Sequence, residues 1–283
     1  MSIDIQNNIK TLVVLLGSAR GGEETWTSMY NYLLNPLSAD LALLFGRTKD
    51  HSSSLYKKAK YIWELDEYSN WGDYFKKYCS DQLYAIFKHN EIEGLGGGVD
   101  NFKGSGAIVF AFRHFLKNNF KNKLLKYDRI ILTRSDYFYI DFHPILKNDY
   151  FYIVEGESYG GVCDRHHIFS KKMIDDVLGI VEYLDDSENY KYLIEKSLNP
   201  ERALYEFYKN NGIEKKIKFC KRVQFIVAHN SDKSSWSLVK GYMFGSNSLK
   251  IKYQREYYKA LKNKYGLIIG LFLRFVFHFF KKN

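Results

Sequence analysis

The chain has 283 residues, a formal net charge of +10, 17% aromatic residues and only three prolines. This length is enough for one large α/β domain with a buried core, and the scarcity of proline and of Ser/Gly-rich linkers argues against a string of small domains. The three cysteines are scattered and odd in number, which argues against a disulfide framework and fits a reducing compartment.

The positive charge is concentrated at the C-terminal end of the chain. Residues 250–283 contain seven lysines, two arginines and one glutamate, a net charge of +8, so the remainder is nearly neutral. A nucleic-acid-binding protein is expected to carry a basic stripe on its folded body, and this distribution argues against such a partner. The polar first eight residues and the short apolar run after them do not fit a signal peptide, so we expect a protein that is not secreted.

Apolar runs and helical spacing alternate along the first half of the chain. The runs predict buried strands at residues 11–16, 40–45, 61–65 and 130–132. Helical spacing predicts helices at residues 23–34, within residues 71–90 and from Gly104 onward, with a glycine-rich loop at 94–98 that we expect to move over a substrate. This alternation predicts an α/β fold in which helices flank a mostly parallel central sheet.

A glycine-rich turn, residues 17–22, follows the first predicted strand. Small residues such as Gly17 let the backbone approach a ligand closely, and Arg20 suits a phosphate or a base. The turn is neither a Walker loop nor the dinucleotide fingerprint. A simple strand-to-helix turn explains it as well as nucleotide contact does.

The segment Thr133-Arg134-Ser135-Asp136 directly follows the strand predicted at residues 130–132. Ligands of open α/β sheets bind in the crevice beyond the carboxyl ends of the strands, so this segment is a candidate for substrate contact. Arg134 suits a phosphate group, and Asp136 suits a hard metal ion or a sugar hydroxyl. An ordinary strand end with a surface ion pair explains the same residues without a ligand.

A second polar segment, residues 155–167, follows a strand predicted at residues 149–154. Its carboxylates Glu155, Glu157 and Asp164 are candidates for acid–base catalysis. Cys163 with the two histidines that follow favours zinc only weakly, because no second ligand pair with metal spacing exists elsewhere in the sequence. Those histidines are adjacent and point to opposite faces of a strand, so one of them is expected to be structural.

The sequence predicts three further elements of secondary structure after residue 167. We predict a helix from residue 170 to 183, a helix from Pro200 capped by Asn199, and a late strand within residues 218–229. Glu201 lies in the first turn of the second helix, where the helix dipole favours a carboxylate. Stabilisation of that helix explains Glu201 without any functional role.

The C-terminal run, residues 266–280, is apolar over fifteen residues and flanked by lysines. It is shorter than the roughly 20 residues needed to cross a bilayer. The apolar run and the flanking positive charge together predict an amphipathic helix that lies in the plane of an anionic membrane surface. A helix packed into the core or into a dimer interface is the competing interpretation.

The motif at residues 133–136, with Tyr127-Asp128 before it and the Gly160-Gly161 to Asp164-Arg165 stretch after it, resembles bacterial polysaccharide and lipopolysaccharide glycosyltransferases of the GT-A type. In particular it resembles the WavE-like group, in which Arg-Ser-Asp replaces the usual Asp-x-Asp. The resemblance spans residues 11–229 in the order of elements. It implies a GT-A-like catalytic domain at residues 1–249 and leaves residues 250–283 as a membrane-associating tail.

The resemblance also implies a nucleotide-sugar donor at the edge of the sheet, with Asp136 as the ligand of a divalent metal such as Mn²⁺ or Mg²⁺. The first aspartate of the usual motif is missing, which leaves the metal requirement open because Arg134 is placed to do part of the cation's work. A departing nucleoside diphosphate develops negative charge that a metal or arginines must stabilise, and the acceptor hydroxyl needs a base.

We therefore expect the donor to be held by Gly17, Arg20, Arg134, Asp136 and Arg165, with Asp164, Glu155 or Glu157 as the base. The expected protein is a cytoplasmic glycosyltransferase, peripherally attached to the inner face of the membrane, acting on a cell-surface glycan or lipid-linked acceptor. The alternative is a non-catalytic peripheral membrane protein that binds a nucleotide or a glycan.

Overall fold

The structure is a computed structural model that describes residues 9–232 and 246–266. In these residues the strands are β1 (Thr11–Gly17), β2 (Asp40–Gly46), β3 (Tyr61–Leu65), β4 (Arg129–Thr133), β5 (Tyr137–Tyr139), β6 (Phe151–Val154), β7 (His167–Ser170), β8 (Ile217–Cys220), β9 (Gln224–His229) and β10 (Leu249–Ile251). Seven of them form one sheet in the order β3-β2-β1-β4-β7-β6-β8, in which only β7 runs against the others. The predicted α/β class with a mostly parallel central sheet is confirmed.

Helices surround this sheet. The α-helices in the described residues are α1 (Gly22–Met29, continued by a π-helical turn at Tyr30–Leu34), α2 (Ser54–Lys58), α3 (Gly72–Tyr78), α4 (Asp81–His89), α5 (Gly106–Leu124), α6 (Ile174–Leu178), α7 (Ile180–Leu184), α8 (Ser187–Ile194), α9 (Pro200–Asn210) and α10 (Gln254–Tyr265). Short 3₁₀ turns lie at Lys171–Met173 and Glu214–Lys216. Asn199 caps α9 as predicted, since its side chain accepts a hydrogen bond from the Arg202 amide at 2.8 Å.

The strands at the centre of the sheet are the most apolar and the most buried. Every residue of β4 is buried, and the apolar residues of β1 and β2 from 12 to 15 and from 41 to 45 are nearly inaccessible. Strands covered by helices on both faces need apolar residues on both faces, which is why continuous apolar runs marked them in the sequence.

Two predicted elements are divided in the structure. The helix expected from residue 170 to 183 consists of a 3₁₀ turn, α6 and α7, with the break at Gly179, because glycine weakens a helix interior. The strand expected within residues 218–229 is two strands in different sheets. The chain turns between them at Arg222, which is fully buried and donates from Nε to the Glu155 carbonyl oxygen at 2.8 Å.

A small antiparallel sheet, β10-β9-β5, was not predicted from the sequence. Helix α10 packs on it, and together they bury a second apolar cluster that consists of Phe225, Val227, Leu249, Ile251, Tyr257, Ala260 and Leu261. Two of its strands have three residues each, which is too short for a periodic signal.

The predicted boundary between residues 249 and 250 falls inside β10, so residues 250–266 belong to the folded body. The predicted amphipathic helix over 266–280 lies outside the described residues except for Gly266. In the described part of the chain no helix has the length and apolar character needed to span a bilayer.

Glu256 fastens α10 to the body through a buried carboxylate. It accepts a hydrogen bond from Arg165 Nη1 at 2.8 Å and from the Ile226 amide at 3.0 Å, and it forms an ion pair with Arg222 Nη1 at 3.2 Å. The side chains of Glu256 and Arg222 are inaccessible to solvent. Two arginines therefore depend on one carboxylate inside the protein.

We predict that Glu256→Ala lowers the free energy of unfolding by about 3–5 kcal/mol, because it leaves buried guanidinium groups without their partner. Urea denaturation measures the change. Arg255→Ala, at an exposed position of the same helix, is the matched control and should stay within about 0.5 kcal/mol of the parent. Equal losses for the two variants would contradict the assigned role of Glu256.

Candidate functional site

Ser135 joins the ends of the two neighbouring strands β1 and β4. Its Oγ donates to the Ser18 carbonyl oxygen at 2.6 Å and accepts from the Arg20 amide at 3.1 Å. Because β1 and β4 are parallel, their carboxyl ends meet at the same edge of the sheet. The glycine turn and the Arg-Ser-Asp segment, which were separate candidates in the sequence, therefore form one surface.

That surface borders a cavity of about 610 Å³. The predicted site residues that line it are Gly17, Arg20, Arg134, Asp136, Asp164 and Arg165, and Glu201, Lys252, Tyr159 and Tyr253 line it with them. The cavity is large enough for a small ligand such as a nucleotide. The structure thus brings six of the eight predicted site residues to one place.

Asp136 and Arg134 form a bidentate ion pair. Arg134 Nε donates to Oδ1 and Nη2 donates to Oδ2 of Asp136, both at 2.7 Å, and Asp136 is 3% exposed. Burial of the carboxyl acts to raise its pKa, but the charges of Arg134, Lys252 and Arg20 outweigh it and bring the pKa below its ordinary value. Asp136 is thus ionised within a cluster of basic side chains.

Arg165 is held from several sides. Its Nη1 donates to Glu256, and its Nε donates to Asp164 Oδ1 at 3.3 Å. The ring of Tyr253 lies 4.8 Å from the guanidinium carbon and the ring of Tyr159 lies 5.7 Å from it, both within cation–π range. A guanidinium fixed in this way meets a ligand with little loss of side-chain entropy.

Lys252 reaches the cavity from the residue that follows β10. Burial lowers the pKa of its amine to about 8; Asp136 acts against this shift, and Arg134, Arg20 and Arg165 reinforce it. The lysine therefore lies among other cations, in a place where an anion would relieve their mutual repulsion.

Asp164 and Glu201 form a pair of carboxylates on the same cavity. Burial, together with the charge of Asp164, raises the pKa of Glu201 to about 7. The chain segment just before Asp164 closely approaches the backbone of Glu201 at the start of α9. The Val162 amide donates to the Glu201 carbonyl oxygen at 3.1 Å, and a Cβ on Gly161 would lie 2.0 Å from that oxygen, so only glycine fits there.

Glu155 and Glu157, two of the predicted bases, do not line the cavity. Glu155 instead fixes α10, because Oε1 accepts from Asn263 Nδ2 at 2.6 Å and Oε2 pairs with Lys259 Nζ at 3.1 Å. Glu157 is in a left-handed turn with φ of 51°. Both residues were predicted as bases because they closely follow a strand. In the structure Glu155 bonds to α10, and neither glutamate lines the cavity.

The predicted histidine pair is buried and structural. His166 Nδ1 bonds Thr133 Oγ1 at 2.9 Å and its Nε2 lies 3.2 Å from His143 Nε2, whereas His167 Nε2 bonds the Cys163 carbonyl oxygen at 2.7 Å. Burial holds the pKa of both His166 and His167 well below 6.5. Cys163 offers its carbonyl rather than its thiol to the pair, which does not favour zinc.

The surroundings of Asp136 do not fit a divalent metal. Both carboxylate oxygens are already engaged by Arg134, and Arg20 and Lys252 add positive charge nearby. In the described ranges no three His, Cys, Asp or Glu side chains come together as a metal site. A metal at Asp136 would compete with Arg134 for these oxygens and enter a field of cations.

No protein-family model matches the sequence, and no curated protein matches it. Among solved structures, the crystal structure of mouse xyloside xylosyltransferase 1 in its apo form has a similar arrangement over 75% of this chain and 85% of that one. The identity is 9% and the TM-score is 0.42. A similarity at this level identifies neither a donor nor an acceptor for the present chain.

Sequence reasoning missed the roles of Glu201 and Lys252. Glu201 was attributed to helix stability, because it lies in the first turn of α9. Lys252 was counted with the basic tail. Neither has a local signal, because each reaches the cavity through contacts with distant parts of the chain.

We predict that the raised pKa of Glu201 makes stability depend on pH. The folded chain holds this proton more tightly than the unfolded chain, so the stabilising contribution is complete below about pH 4.5 and is lost as pH rises through about 7. Urea unfolding between about pH 5 and 8 should therefore show the parent losing stability relative to Glu201→Gln. Parallel curves for the two proteins would refute the shifted pKa.

Proposed function

We propose that this chain is a glycosyltransferase that moves a sugar from a nucleotide-sugar donor to a hydroxyl of a glycan or of a lipid-linked acceptor. The observation that carries the proposal is one cavity at the carboxyl edge of the sheet, lined both by the basic cluster Arg20, Arg134, Arg165 and Lys252 and by the carboxylate pair Asp164 and Glu201. Sugar transfer from a diphosphate donor needs both kinds of group. The Arg-Ser-Asp segment is in turn the feature that resembles bacterial polysaccharide and lipopolysaccharide glycosyltransferases.

The basic cluster suits the leaving group. When the bond between the anomeric carbon and the phosphate oxygen breaks, its electron pair goes to the nucleoside diphosphate, whose negative charge increases. Fixed guanidinium groups and an ammonium group stabilise such charge most in a cavity that is already partly desolvated. Arg165 and Arg134 are both held by carboxylates, so they are oriented before the donor arrives.

The carboxylate pair suits the acceptor. As the acceptor oxygen forms its bond to the anomeric carbon, its proton passes to a carboxylate, for which Asp164 is the proposed base. Burial and the charge of Asp164 raise the pKa of Glu201 to about 7, so near neutral pH Glu201 is partly protonated and adds less than one full negative charge beside the proposed base. Asp164 is kept in place by Arg165, whose Nε lies 3.3 Å from its Oδ1.

We predict that Asp164→Asn lowers the turnover of the preferred donor by about 10²–10⁴-fold, since it removes the proposed base. Release of nucleotide from a panel of UDP-, GDP-, CDP- and dTDP-sugars, with and without acceptor glycans, measures this. Glu91→Gln, an exposed carboxylate that does not line the cavity, should retain parental turnover. Unchanged turnover in Asp164→Asn would remove Asp164 from the mechanism, and nucleotide binding without any turnover would favour the non-catalytic alternative.

We propose further that residues 267–283 attach the protein to the cytoplasmic face of a membrane, near a lipid-linked acceptor. The support is compositional, namely a short apolar run with flanking basic residues. The proposed anchor is confined to residues 267–283 because β10 and α10 contribute to a buried apolar cluster of the body.

We predict that a chain ending at Gly266 keeps its fold and nucleotide binding but loses cosedimentation with anionic liposomes, because it retains every described residue of the second apolar cluster and lacks the apolar run. Neutral liposomes are the control for the electrostatic part. Undiminished binding of the truncated chain to anionic liposomes would contradict the membrane role of residues 267–283.

A further inference from the structure

The basic cluster is built from four separate parts of the chain. Arg20 follows β1, Arg134 follows β4, and Arg165 precedes β7, while Lys252 comes from the small sheet. Of the described residues that line the cavity, five are basic (Arg20, Arg113, Arg134, Arg165 and Lys252) and four are acidic (Glu93, Asp136, Asp164 and Glu201). Because Glu201 has a raised pKa, the cavity carries an excess of positive charge near neutral pH.

We infer that Arg20, Arg134, Arg165 and Lys252 bind the diphosphate of the donor directly and take the place of a divalent metal. This inference rests on the proposed function and specifies its donor site. The two oxygens of Asp136 each accept a charge-assisted hydrogen bond from Arg134, which leaves Asp136 as the group that orients an arginine rather than as a metal ligand. The aspartate thus acts on the donor through Arg134.

A dication and a diphosphate have opposite consequences in this cavity. A dication at Asp136 competes with the Arg134 guanidinium for both carboxylate oxygens and lies close to Lys252 and Arg20, whose charges already act on that carboxylate. A diphosphate brings negative charge to the same cations, and guanidinium groups match phosphate oxygens in bidentate geometry. The arrangement therefore favours the anion without a bridging metal.

Among the basic residues of the cluster, Lys252 is the one whose substitution tests the inference most clearly. It lines the cavity and lies in no recognisable motif. Lys250, two residues earlier in β10, does not line the cavity. Replacing each lysine by methionine removes one positive charge from the same short segment. The pair of variants therefore separates a local charge at the cavity from the net charge of the protein.

Isothermal titration of the full chain with UDP, GDP, CDP and dTDP tests the inference, first with excess EDTA and then with Mn²⁺ or Mg²⁺. We expect at least one nucleotide to bind in EDTA, with a Kd that added metal changes by less than about threefold. Lys252→Met and Arg134→Met should weaken that binding by about 10- to 100-fold, the loss expected for one charge-assisted contact, whereas Lys250→Met should not. Far-ultraviolet circular dichroism and melting curves confirm that each variant is folded.

Failure of this inference and failure of the proposed function give different titration results. Nucleotide binding that appears only with Mn²⁺ or Mg²⁺, or that is at least tenfold tighter with metal, overturns the inference and leaves the proposed glycosyltransferase intact. Absence of binding for all four nucleotides in both conditions overturns the inference and the nucleotide-sugar proposal together. The test of the parent chain in EDTA needs no variant, so it stands even where a substitution disturbs folding.

Discussion

The buried carboxylate of Glu256 is the interaction on which the cavity depends. It connects helix α10 to Arg165, to Arg222 and to the Ile226 amide of β9, at distances of 2.8 to 3.2 Å. Desolvation of such a group is costly and is offset only when charge partners and hydrogen bonds are complete. Two of these partners, Arg165 and Ile226, line the cavity, and the position of Arg165 is thus fixed by a helix about ninety residues away in sequence.

The cavity residues are arranged in pairs that hold one another. Arg134 holds Asp136, Arg165 holds Asp164, and Ser135 ties the loop of Arg20 to β4. The side chains of Arg134, Asp136, Asp164 and Arg165 are thus oriented by one another, and the backbone of Arg20 is fixed to the end of β4. This arrangement lowers the cost of reorganisation when charge develops during a reaction.

The central strands were predictable because strands buried on both faces have continuous runs of apolar residues. The polar residues of the cavity were predictable because they directly follow such runs, at the strand ends where ligands of open α/β sheets bind. Arg20, Arg134, Asp136, Asp164 and Arg165 were identified in this way. Lys252 and Glu256 were not, since they depend on three-residue strands and on contacts between distant segments. Glu155 shows the converse error, because it follows a strand yet turns to α10.

The C-terminal charge has more than one origin. Residues 250–266 contain six basic residues and one acidic residue, a net charge of +5, and residues 267–283 contain three basic residues. Most of the excess that was attributed to a membrane tail therefore belongs to the folded body. Lys252 lines the cavity and Lys259 pairs with Glu155, so part of this charge is used within the protein. A basic segment can thus contribute to a substrate site as well as to a membrane surface, and net charge alone does not distinguish the two.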